Sequence, residues 1–494
     1  MAIEDAIATE ERSRHRSVHI IAIGGTGVAP LACLLKQEGY QVRGSDGPLY
    51  PPMSDLLERE GLRPLSGFDP AHLHPRPDLV IVGNAVPRSN PEVAELERLG
   101  WPRMSMPEAL GAFFLAGRDP VVVAGTHGKT TTTGMAAWVY SRCGQDPGYL
   151  IGGLPRDLPS SFARGGGRRF IIEGDEYNAA YFDRGAKFLH YRPETVILTG
   201  VEHDHVDLYP DAESFHAAFR ALIRLLPADG LLIADGDTAK VRELAAAAPC
   251  AVLHYGLGPD NELRPLEPPK AGPEGTRLRV RDREAGVTEI ALSVPGLHNV
   301  RNALAVWALA RHDRLPVDGV LQALAAFRGV HRRLERVGDI AGVAIIDDFA
   351  HHPTEIEATL AALRQRFPGR RLIAAFEPRS LTSGRSFLLP GYERAFARAD
   401  AVHLAPIFHA RRLRDDERLD LDLLRARLEG RGVAVHAWNS VDEVLAGVIA
   451  GARTGDVVVA MSSGSFDGLA VRIVAALAAA AAQGAETPPF SAPC

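Results

Sequence analysis

Short apolar runs alternate with longer segments of helical periodicity along most of the chain. Val18–Ile23, Val121–Ala124 and Val343–Ile346 are rich in β-branched residues, and each leads through a polar loop into a helix-forming segment. Continuous apolar runs of this length are typical of strands buried on both faces of a parallel sheet. The alternation therefore predicts an α/β fold with several such sheets.

The same pattern predicts further strands and three domains. At roughly 150 residues per domain, 494 residues suggest about three. Turn-forming residues at Gly117–Pro120 and a basic connector at Phe327–Glu335 give the ranges 1–118, 119–328 and 329–494. A terminal helix is expected around Ile473–Ala482. The other predicted strands are Val42–Asp46, Asp78–Val86, Arg169–Glu176, Thr195–Gly200, Leu372–Phe376, Ala401–Ala405, Val433–Trp438 and Val457–Met461.

The segment after Val121–Ala124 has the composition of a phosphate-binding loop. Glycines let backbone N–H groups turn toward an anion, and the following helix start adds partial positive charge. Lys129 can reach a β- or γ-phosphate and Thr130 can ligate Mg²⁺, so the predicted ligand is ATP. A plain turn is the alternative, because Val123 stands where the general motif has glycine. The predicted loop residues are Gly125, Thr126, His127, Gly128, Lys129, Thr130 and Thr131.

Carboxylates and imidazoles follow two later strands. Glu173 lies near the end of the predicted strand Arg169–Glu176, and the segment 202–207, which contains His205, follows another. Oxygen and imidazole groups downstream of a phosphate loop suit metal-assisted phosphoryl transfer. Solvated loop residues are the alternative for each cluster alone. A zinc site formed by His203 and His205 is a second alternative, although no cysteine or third nearby histidine completes such a site.

A second glycine loop, Gly24-Gly25-Thr26-Gly27, follows the first predicted strand, and Asp46 lies about 20 residues further on. That arrangement resembles a dinucleotide site. Pro30 occupies the position that the NAD fingerprint gives to glycine or alanine. We therefore favour the pyrophosphate of another nucleotide over NAD, and a purely structural loop is the remaining alternative. Asn84 follows the strand beginning at Asp78, at the edge where such sheets bind ligands.

Three further groups are candidates for ligand binding. Asn299 and Asn302 are three residues apart on one predicted helix, where their amides could read a base edge or cap the helix. Asp348 ends a predicted strand of the last domain. Arg379 follows another, where it could bind a substrate carboxylate or form a surface ion pair.

Charge and cysteine content limit the function classes. The 55 basic and 61 acidic residues give no basic surface for nucleic acid. The four cysteines are far apart and include no C-x-x-C, which favours a reducing cytoplasm. Residues 1–16 lack the apolar core of a signal peptide, and no apolar run approaches the ~20 residues of a membrane helix. We expect a cytoplasmic protein without a membrane partner.

Taken together, the motifs resemble the ATP-dependent Mur ligase family over essentially the whole chain. The segments that carry the resemblance are 125–133, the strand ending at Glu173, 204–207, 296–302, 332–335 and 347–353. The resemblance implies a Rossmann-like UDP-sugar domain, a central P-loop domain, and a Rossmann-like C-terminal domain for peptide binding and closure.

The resemblance also implies roles for individual residues. Lys129, Glu173 and His205 would be catalytic, with Thr130, Glu173 and His205 around Mg²⁺. Asn299 and Asn302 would read adenine, while Arg333 and Asp348 would meet phosphate and ribose. Arg379 would bind the incoming peptide. The residues implied for the UDP-sugar are Gly24, Gly25, Thr26, Gly27, Ser45, Asp46 and Asn84.

The implied reaction joins the lactyl carboxylate of UDP-N-acetylmuramate to the amine of L-alanyl-γ-D-glutamyl-meso-diaminopimelate, through an acyl phosphate, in peptidoglycan recycling. L-alanine is the alternative acceptor, as in de novo synthesis. A P-loop ATPase switch and an NAD-dependent oxidoreductase are the alternatives of other classes. Phe219 stands where several family members carry a carbamylated lysine, which matches the muramate-using branch. Gly174 and Asn178 also depart from the acidic motif of the family.

Overall fold

The computed structural model describes residues 16–282 and 286–485. The N-terminal segment and Cys494, on which two of the expectations above depend, lie outside these ranges. By its internal contacts the chain forms two compact units. Unit 1 comprises the residues up to His203, Leu208–Arg264 and Arg301–Ala323, and unit 2 comprises Asp204–Asp207, Pro265–Val300 and the residues from Leu324 onward. The three domain ranges remain predictions.

Unit 1 contains two mainly parallel sheets. Its strands are β1 Ser17–Ile21, β2 Gln41–Asp46, β3 Leu65–Ser66, β4 Leu79–Val82, β5 Arg103–Ser105, β6 Asp119–Ala124, β7 Gly148–Leu150, β8 Phe162–Ala163, β9 Arg169–Gly174, β10 Asn178–Ala180, β11 Asp183–Ala186, β12 Thr195–Leu198, β13 Leu231–Asp235 and β14 Ala251–Tyr255. The first sheet has the order β3-β2-β1-β4-β5 and the second β14-β13-β12-β6-β9-β7-β8. Only β8 runs antiparallel in these two sheets, and β10 and β11 form a separate hairpin.

Helices connect these strands and cover the sheets. They are α1 Val28–Gln37, α2 Met53–Arg59, α3 Pro91–Leu99, α4 Met106–Leu110, α5 Lys129–Arg142, α6 Ala212–Arg224 and α7 Ala239–Ala245. On the first sheet, Val18 and Ile20 pack in one core cluster with α1, whereas Ile21 and Val82 pack in another with α3. Burial on both faces explains why β1 and β4 read as continuous apolar runs.

Unit 2 contains an antiparallel sheet and a larger, mainly parallel one. The first consists of β15 Lys270–Gly272, β16 Gly275–Asp282 and β17 Gly286–Leu292. The strands of the second are β18 Glu335–Ile340, β19 Val343–Asp348, β20 Leu372–Phe376, β21 Ala401–Leu404, β22 Ala434–Ala437 and β23 Val457–Met461. Their order is β18-β19-β23-β20-β21-β22, and only β18 is antiparallel.

The helices after β17 are α8 Leu297–His312, α9 Val317–Ala326, α10 Pro353–Arg366, α11 Leu389–Phe396, α12 Leu421–Glu429, α13 Val441–Gly451 and α14 Leu469–Ala485. In β19, Ala344 and Ile346 pack in the core cluster that contains α10 to α12, whereas Val343 and Ile345 pack with α13 and α14. The larger sheet of unit 2 is therefore doubly wound, which confirms the predicted α/β class.

Some predicted bounds were too long. Val18–Ile23 is a strand only to Ile21, because Ala22 has φ +64° and turns the chain. The strand predicted at Asp78–Val86 ends at Val82. The sequence interpretation missed the hairpin and the antiparallel sheet. Cys33, Cys143 and Cys250 form no disulfide. No helix among the described residues combines the length and apolar character that crossing a membrane requires.

Candidate active site

The phosphate loop lies between β6 and α5, as predicted. Gly125 has φ +133° and Gly128 has φ +80°. A Cβ atom on Gly125 would lie 2.2 Å from Thr199 Oγ1, and one on Gly128 would lie 2.9 Å from Asn302 Oδ1. Only glycine combines these backbone conformations with such close neighbours.

Hydrogen bonds attach the loop to the chain that follows β12. Thr126 N donates to Gly200 O at 2.6 Å, and the Thr126 hydroxyl donates to Glu202 O at 2.9 Å. The Thr199 hydroxyl donates to His127 O at 2.6 Å. His127 Nε2 lies 3.2 Å from Glu202 Oε2. Because β6 and β12 are parallel neighbours, their carboxyl ends meet at one edge, and these contacts fix the loop there.

Lys129, at the start of α5, is held by its own loop and by a carboxylate. Its Nζ donates to Gly125 O at 2.5 Å and to Glu176 Oε1 at 3.1 Å. Burial alone would lower the pKa of Lys129, but the nearby carboxylates of Glu176, Glu173 and Asp175 outweigh burial and raise it. The lysine therefore carries a positive charge at the phosphate loop.

Thr130 and Glu173 bring oxygen ligands to the same place. The Thr130 hydroxyl donates to Glu173 Oε1 at 2.9 Å, and Gly152 N donates to Glu173 Oε2 at 2.7 Å. Both side chains offer the hard oxygen atoms that Mg²⁺ prefers. The donor set thus fits the predicted metal. Thr131 is buried in the first turn of α5.

The third predicted metal ligand, His205, belongs to unit 2. It has φ +54°, and its Nδ1 lies 3.9 Å from Asp204 Oδ1. Burial opposes ionisation of Asp204, but His205, His351 and a backbone N–H lower the pKa of Asp204 to about 2. In unit 1, His203 Nε2 donates to Tyr209 O at 2.9 Å, so a carbonyl already engages one of the nitrogens considered for zinc.

Asn299 and Asn302 are both buried near the start of α8. The Asn299 amide donates to Pro295 O at 2.7 Å, a local contact that fits the alternative of a helix-start role. Asn302 is the residue whose Oδ1 crowds Gly128. Adenine recognition by the two amides remains a prediction.

The first glycine loop lies at the carboxyl edge of β1. Asp46, at the end of β2, accepts a hydrogen bond from Gly24 N at 2.7 Å. A Cβ atom on Gly27 would lie 2.5 Å from Met106 Cε. Thr26 is exposed, and Gly25 and Asn84 are half-buried. The structure therefore places Gly24–Gly27 beside Asp46, and it places Asn84 just after the neighbouring β4.

Ser45 has a partner that the sequence interpretation missed. Its hydroxyl donates to Glu92 Oε2 at 2.6 Å, and Glu92 also contacts His19 at 3.1 Å and His72 at 2.9 Å. Burial would raise the pKa of Glu92, but these hydrogen bonds lower it below its ordinary value. Ser45 thus forms part of an internal network. A glutamate directly after Asn90-Pro91 is typical of a helix start, so this role could not be predicted from the sequence.

In unit 2, Arg333 precedes β18 and Asp348 ends β19, and because these two strands are antiparallel, both residues lie at the same edge of the sheet. Arg333 Nη1 lies 3.7 Å from Glu355 Oε1, and its guanidinium lies 4.7 Å from the Phe349 ring centre. Asp348 accepts from Leu334 N at 2.5 Å and from the Thr359 hydroxyl at 3.1 Å. Burial raises the pKa of Asp348 to about 6.

Arg379 follows β20 and forms an ion pair with a buried carboxylate, and its role in peptide binding remains a prediction. Its Nη1 lies 3.3 Å from Glu377 Oε2, and its guanidinium lies 3.8 Å from the Phe408 ring centre. Glu377 also accepts a hydrogen bond from the Ser462 hydroxyl at 2.6 Å.

Two of the three residues that depart from the family pattern, Phe219 and Gly174, are closely packed. Phe219 is fully buried, with its ring centre 5.5 Å from that of Phe188 and 5.1 Å from that of Phe215. A Cβ atom on Gly174 would lie 2.7 Å from Val122 Cγ1, so glycine permits the close approach of β9 to β6. The sequence interpretation assigned no individual role to Glu176, which contacts Lys129.

Three Mur ligase family profiles match the chain. They are the catalytic domain at residues 17–118, the middle domain at 123–310 and the glutamate ligase domain at 332–464. Together the matches cover most of the chain.

Individual relatives support the same assignment. The UDP-N-acetylmuramate–L-alanyl-γ-D-glutamyl-meso-2,6-diaminoheptandioate ligase of Escherichia coli strain K12 is 38% identical over 93% of this chain and 98% of its own. The UDP-N-acetylmuramate–L-alanine ligase of Kineococcus radiotolerans is also 38% identical, over 83% of this chain and 85% of its own.

A solved structure agrees with these relatives. The murein peptide ligase of Psychrobacter arcticus 273-4 has a TM-score of 0.70 and 32% identity, covering 94% of this chain and 99% of its own. The fold, the order of the profiles and the geometry of the phosphate loop lead to one conclusion: this chain belongs to the Mur ligase family.

Proposed function

We propose that the protein is an ATP-dependent ligase that joins the lactyl carboxylate of UDP-N-acetylmuramate to the amine of L-alanyl-γ-D-glutamyl-meso-diaminopimelate. One observation carries the choice of acceptor. Similarity to the E. coli ligase, whose name includes this tripeptide, extends over 93% of this chain and 98% of the relative. The match to the L-alanine ligase of equal identity is shorter in both chains. Such a reaction requires ATP, and a cytoplasmic location is part of the same proposal.

The reaction is proposed to begin at the phosphate loop. Backbone N–H groups of residues 125–131 would bind the phosphates, and Lys129 would move from Gly125 O to a phosphate oxygen. The lactyl carboxylate attacks the γ-phosphorus, which gives an acyl phosphate and ADP. The peptide amine then attacks the acyl carbon, and phosphate leaves. Phosphorylation is needed because an unmodified carboxylate would have to expel an oxide.

Mg²⁺ would be held by Thr130 and Glu173, whose oxygens already lie 2.9 Å apart, with His205 as a further proposed ligand. When bound, it would withdraw negative charge from the phosphate oxygens. Glu173 is fixed for this task by Gly152 N. Thr130→Val should therefore raise the Mg²⁺ concentration required for half-maximal rate, and an unchanged requirement would remove Thr130 from the site.

The UDP-sugar is proposed to bind at the first glycine loop. Gly24–Gly27, Asp46 and Asn84 occupy the carboxyl ends of β1, β2 and β4, where open parallel sheets bind nucleotides. Ser45 would support this site indirectly, because its hydroxyl donates a hydrogen bond to Glu92. Asn299, Asn302, Arg333 and Asp348 are retained as proposed ATP contacts, and Arg379 as a proposed peptide contact.

A direct comparison of acceptors tests the proposal. ATP and UDP-N-acetylmuramate are supplied with either the tripeptide or L-alanine, and the product is identified by mass spectrometry. We expect kcat/KM to favour the tripeptide by at least about tenfold. Preference for L-alanine would replace the proposal with the alanine-ligase alternative. Phosphate release that needs neither organic substrate would indicate an ATPase switch, and NADH binding in a fluorescence titration would indicate an oxidoreductase.

A further inference from the structure

A cationic turn in unit 2 lies beside Arg379. The strands β20 and β21 are parallel, and Phe376 is in register with Leu404. The segments after these two residues therefore leave the sheet at the same edge. One of them carries Arg379, and the other continues into a 3₁₀ helix at Ala410–Arg412. Phe408 N donates to Pro378 O at 3.1 Å, which joins the two segments.

Arg379 is held with its guanidinium in a fixed place. The Phe408 ring centre lies 3.8 Å from the guanidinium carbon, although Phe408 itself is 50% exposed. Gly464 lies against the arginine, since a Cβ atom there would come within 2.0 Å of Arg379 Cδ. An aromatic ring, a glycine and the Glu377 carboxylate, 3.3 Å from Arg379 Nη1, thus position this cation.

Arg411 and Arg412 differ from the other arginines nearby. Arg414 pairs with Asp416, Arg418 with Asp415 and Arg385 with Glu417. Arg411 and Arg412 are exposed, and within the described residues no carboxylate lies within 4.0 Å of either guanidinium. Burial, followed by the charges of Arg412 and Arg379, lowers the pKa of His409. Arg412 and Arg379 are therefore both close enough to the His409 imidazole to act on it electrostatically.

The backbone of this turn is braced. Arg418 Nη2 donates to Ala410 O at 3.0 Å and to Leu413 O at 3.2 Å. The side chains of Ile407 and Leu413 are buried, and a Cβ atom on Gly384 would lie 2.8 Å from the first and 2.9 Å from the second. A rigid turn that presents unpaired guanidinium groups is preorganised for anions, because little ordering remains to be done on binding.

The proposed acceptor supplies such anions. L-alanyl-γ-D-glutamyl-meso-diaminopimelate has three free carboxylates, one on the glutamyl residue and two on the diaminopimelate, whereas L-alanine has one. Arginine binds carboxylates through two parallel N–H···O bonds. We propose that Arg411 and Arg412, beside Arg379, bind the distal carboxylates of the acceptor peptide and select it over L-alanine. This inference rests on the proposed function.

Kinetics of the full-length protein with acceptors of graded charge test the inference. The acceptors are L-alanyl-γ-D-glutamyl-meso-diaminopimelate, the same tripeptide with L-lysine in place of diaminopimelate, which lacks one carboxylate, and L-alanyl-γ-D-glutamate. The variant is Arg411→Gln/Arg412→Gln. Arg414→Gln is the matched control, because it removes one charge from the same segment but from an arginine that is already paired.

We expect the double variant to raise KM for the diaminopimelate tripeptide at least about tenfold while kcat changes less than about twofold. It should also lose the preference for diaminopimelate over lysine, and KM for ATP should stay unchanged. A double Lys variant should restore part of the affinity. Both altered side chains are exposed, so the unfolding temperature should match that of wild type.

Three results would overturn the inference. They are a KM change no larger than that of Arg414→Gln, an equal loss with all three acceptors, and an effect on kcat alone. Failure of the proposed function is distinguishable from these, because the wild-type protein itself would then couple none of the peptides. In that case the inference falls with the proposal.

Discussion

Lys129 Nζ lies 3.1 Å from Glu176 Oε1, and the two side chains are only 13% and 1% exposed. The cation proposed to meet the ATP phosphates is therefore held by a buried carboxylate of the same unit. Replacing Lys129 with alanine should lower kcat by at least about 10²–10³, since a group placed to stabilise transition-state charge is lost. Phosphate release with saturating ATP, UDP-N-acetylmuramate and tripeptide measures the effect.

The single variant also leaves Glu176 without its cation, which costs about 3–5 kcal/mol for a buried pair. Lys129→Met/Glu176→Gln removes both charges and serves as the control for folding. We expect the double variant to recover the unfolding temperature and to remain inactive. Undiminished ligation by either variant would contradict the catalytic assignment of Lys129.

Gly125 should tolerate no side chain. With φ +133° and Thr199 Oγ1 only 2.2 Å from the position of a Cβ atom, Gly125→Ala must displace the phosphate loop. We expect kcat/KM for ATP to fall by at least about tenfold and stability to fall by about 1–3 kcal/mol. Gly144 also has positive φ, +74°, but nothing lies within 4 Å of its Cβ position. Gly144→Ala should therefore keep full activity, and equal losses in both variants would refute the steric argument.

Asp313 joins three elements of unit 1. It accepts the Tyr140 hydroxyl at 2.5 Å and Arg169 Nε at 2.8 Å. Asp313→Asn should destabilise the protein by about 3–5 kcal/mol, because Arg169 is largely buried and would lose its counter-charge. The adjacent Arg168 is 84% exposed and pairs with Asp119, so Asp119→Asn should cost far less stability than Asp313→Asn. Urea unfolding compares the two, and similar costs would disprove the distinction.

His403 should make unit 2 sensitive to acid. Burial, with His436 and Arg371 nearby, lowers the pKa of His403 to about 4. Trp438 Nε1 donates to His403 Nδ1 at 3.1 Å, which requires the neutral imidazole. An unfolded histidine titrates near 6.5, so between pH 6.5 and 4 the unfolded state binds more protons than the folded one. Stability is present above pH 6.5 and falls by up to about 3 kcal/mol as the pH drops to 4.

His403→Asn removes the titration while its side-chain oxygen can still accept the indole N–H. Unfolding measured from pH 7 to pH 4 should show a shallower loss of stability for this variant than for wild type. His331→Gln is the control, because the side chain of His331 is 45% exposed. Parallel curves for wild type and His403→Asn would contradict the assignment.

The strands of the sheets were predictable because they are buried on both faces and therefore apolar throughout. The strand Leu372–Phe376 has the predicted bounds for this reason. The hairpin β10–β11 was not predictable, since its strands have only three and four residues, too few to show an alternation that distinguishes a strand from a loop. Ala22 ends β1 with φ +64°, a conformation that its sequence context does not reveal.

At the candidate site, the sequence indicated those residues that lie close together along the chain. The glycines, Lys129 and Thr130 lie on one loop and one helix start, so their order along the chain fixes their arrangement. Contacts over long sequence separation were not accessible. Glu176 reaches Lys129 from 47 residues away, and Glu92 reaches Ser45 from 47 residues away in the other sheet of unit 1. Which residues meet over such separations depends on the order of the strands in each sheet. A single sequence does not specify that order.

The buried Phe219 determines whether carbon dioxide can react with the protein at this position. A carbamate forms when carbon dioxide adds to a lysine amine, so a ligase that relies on one requires bicarbonate in its medium. Phe219 is fully buried among other rings and offers no nucleophilic nitrogen. At this position the protein is therefore independent of carbon dioxide, and degassing the buffer leaves that part of the molecule chemically unaltered.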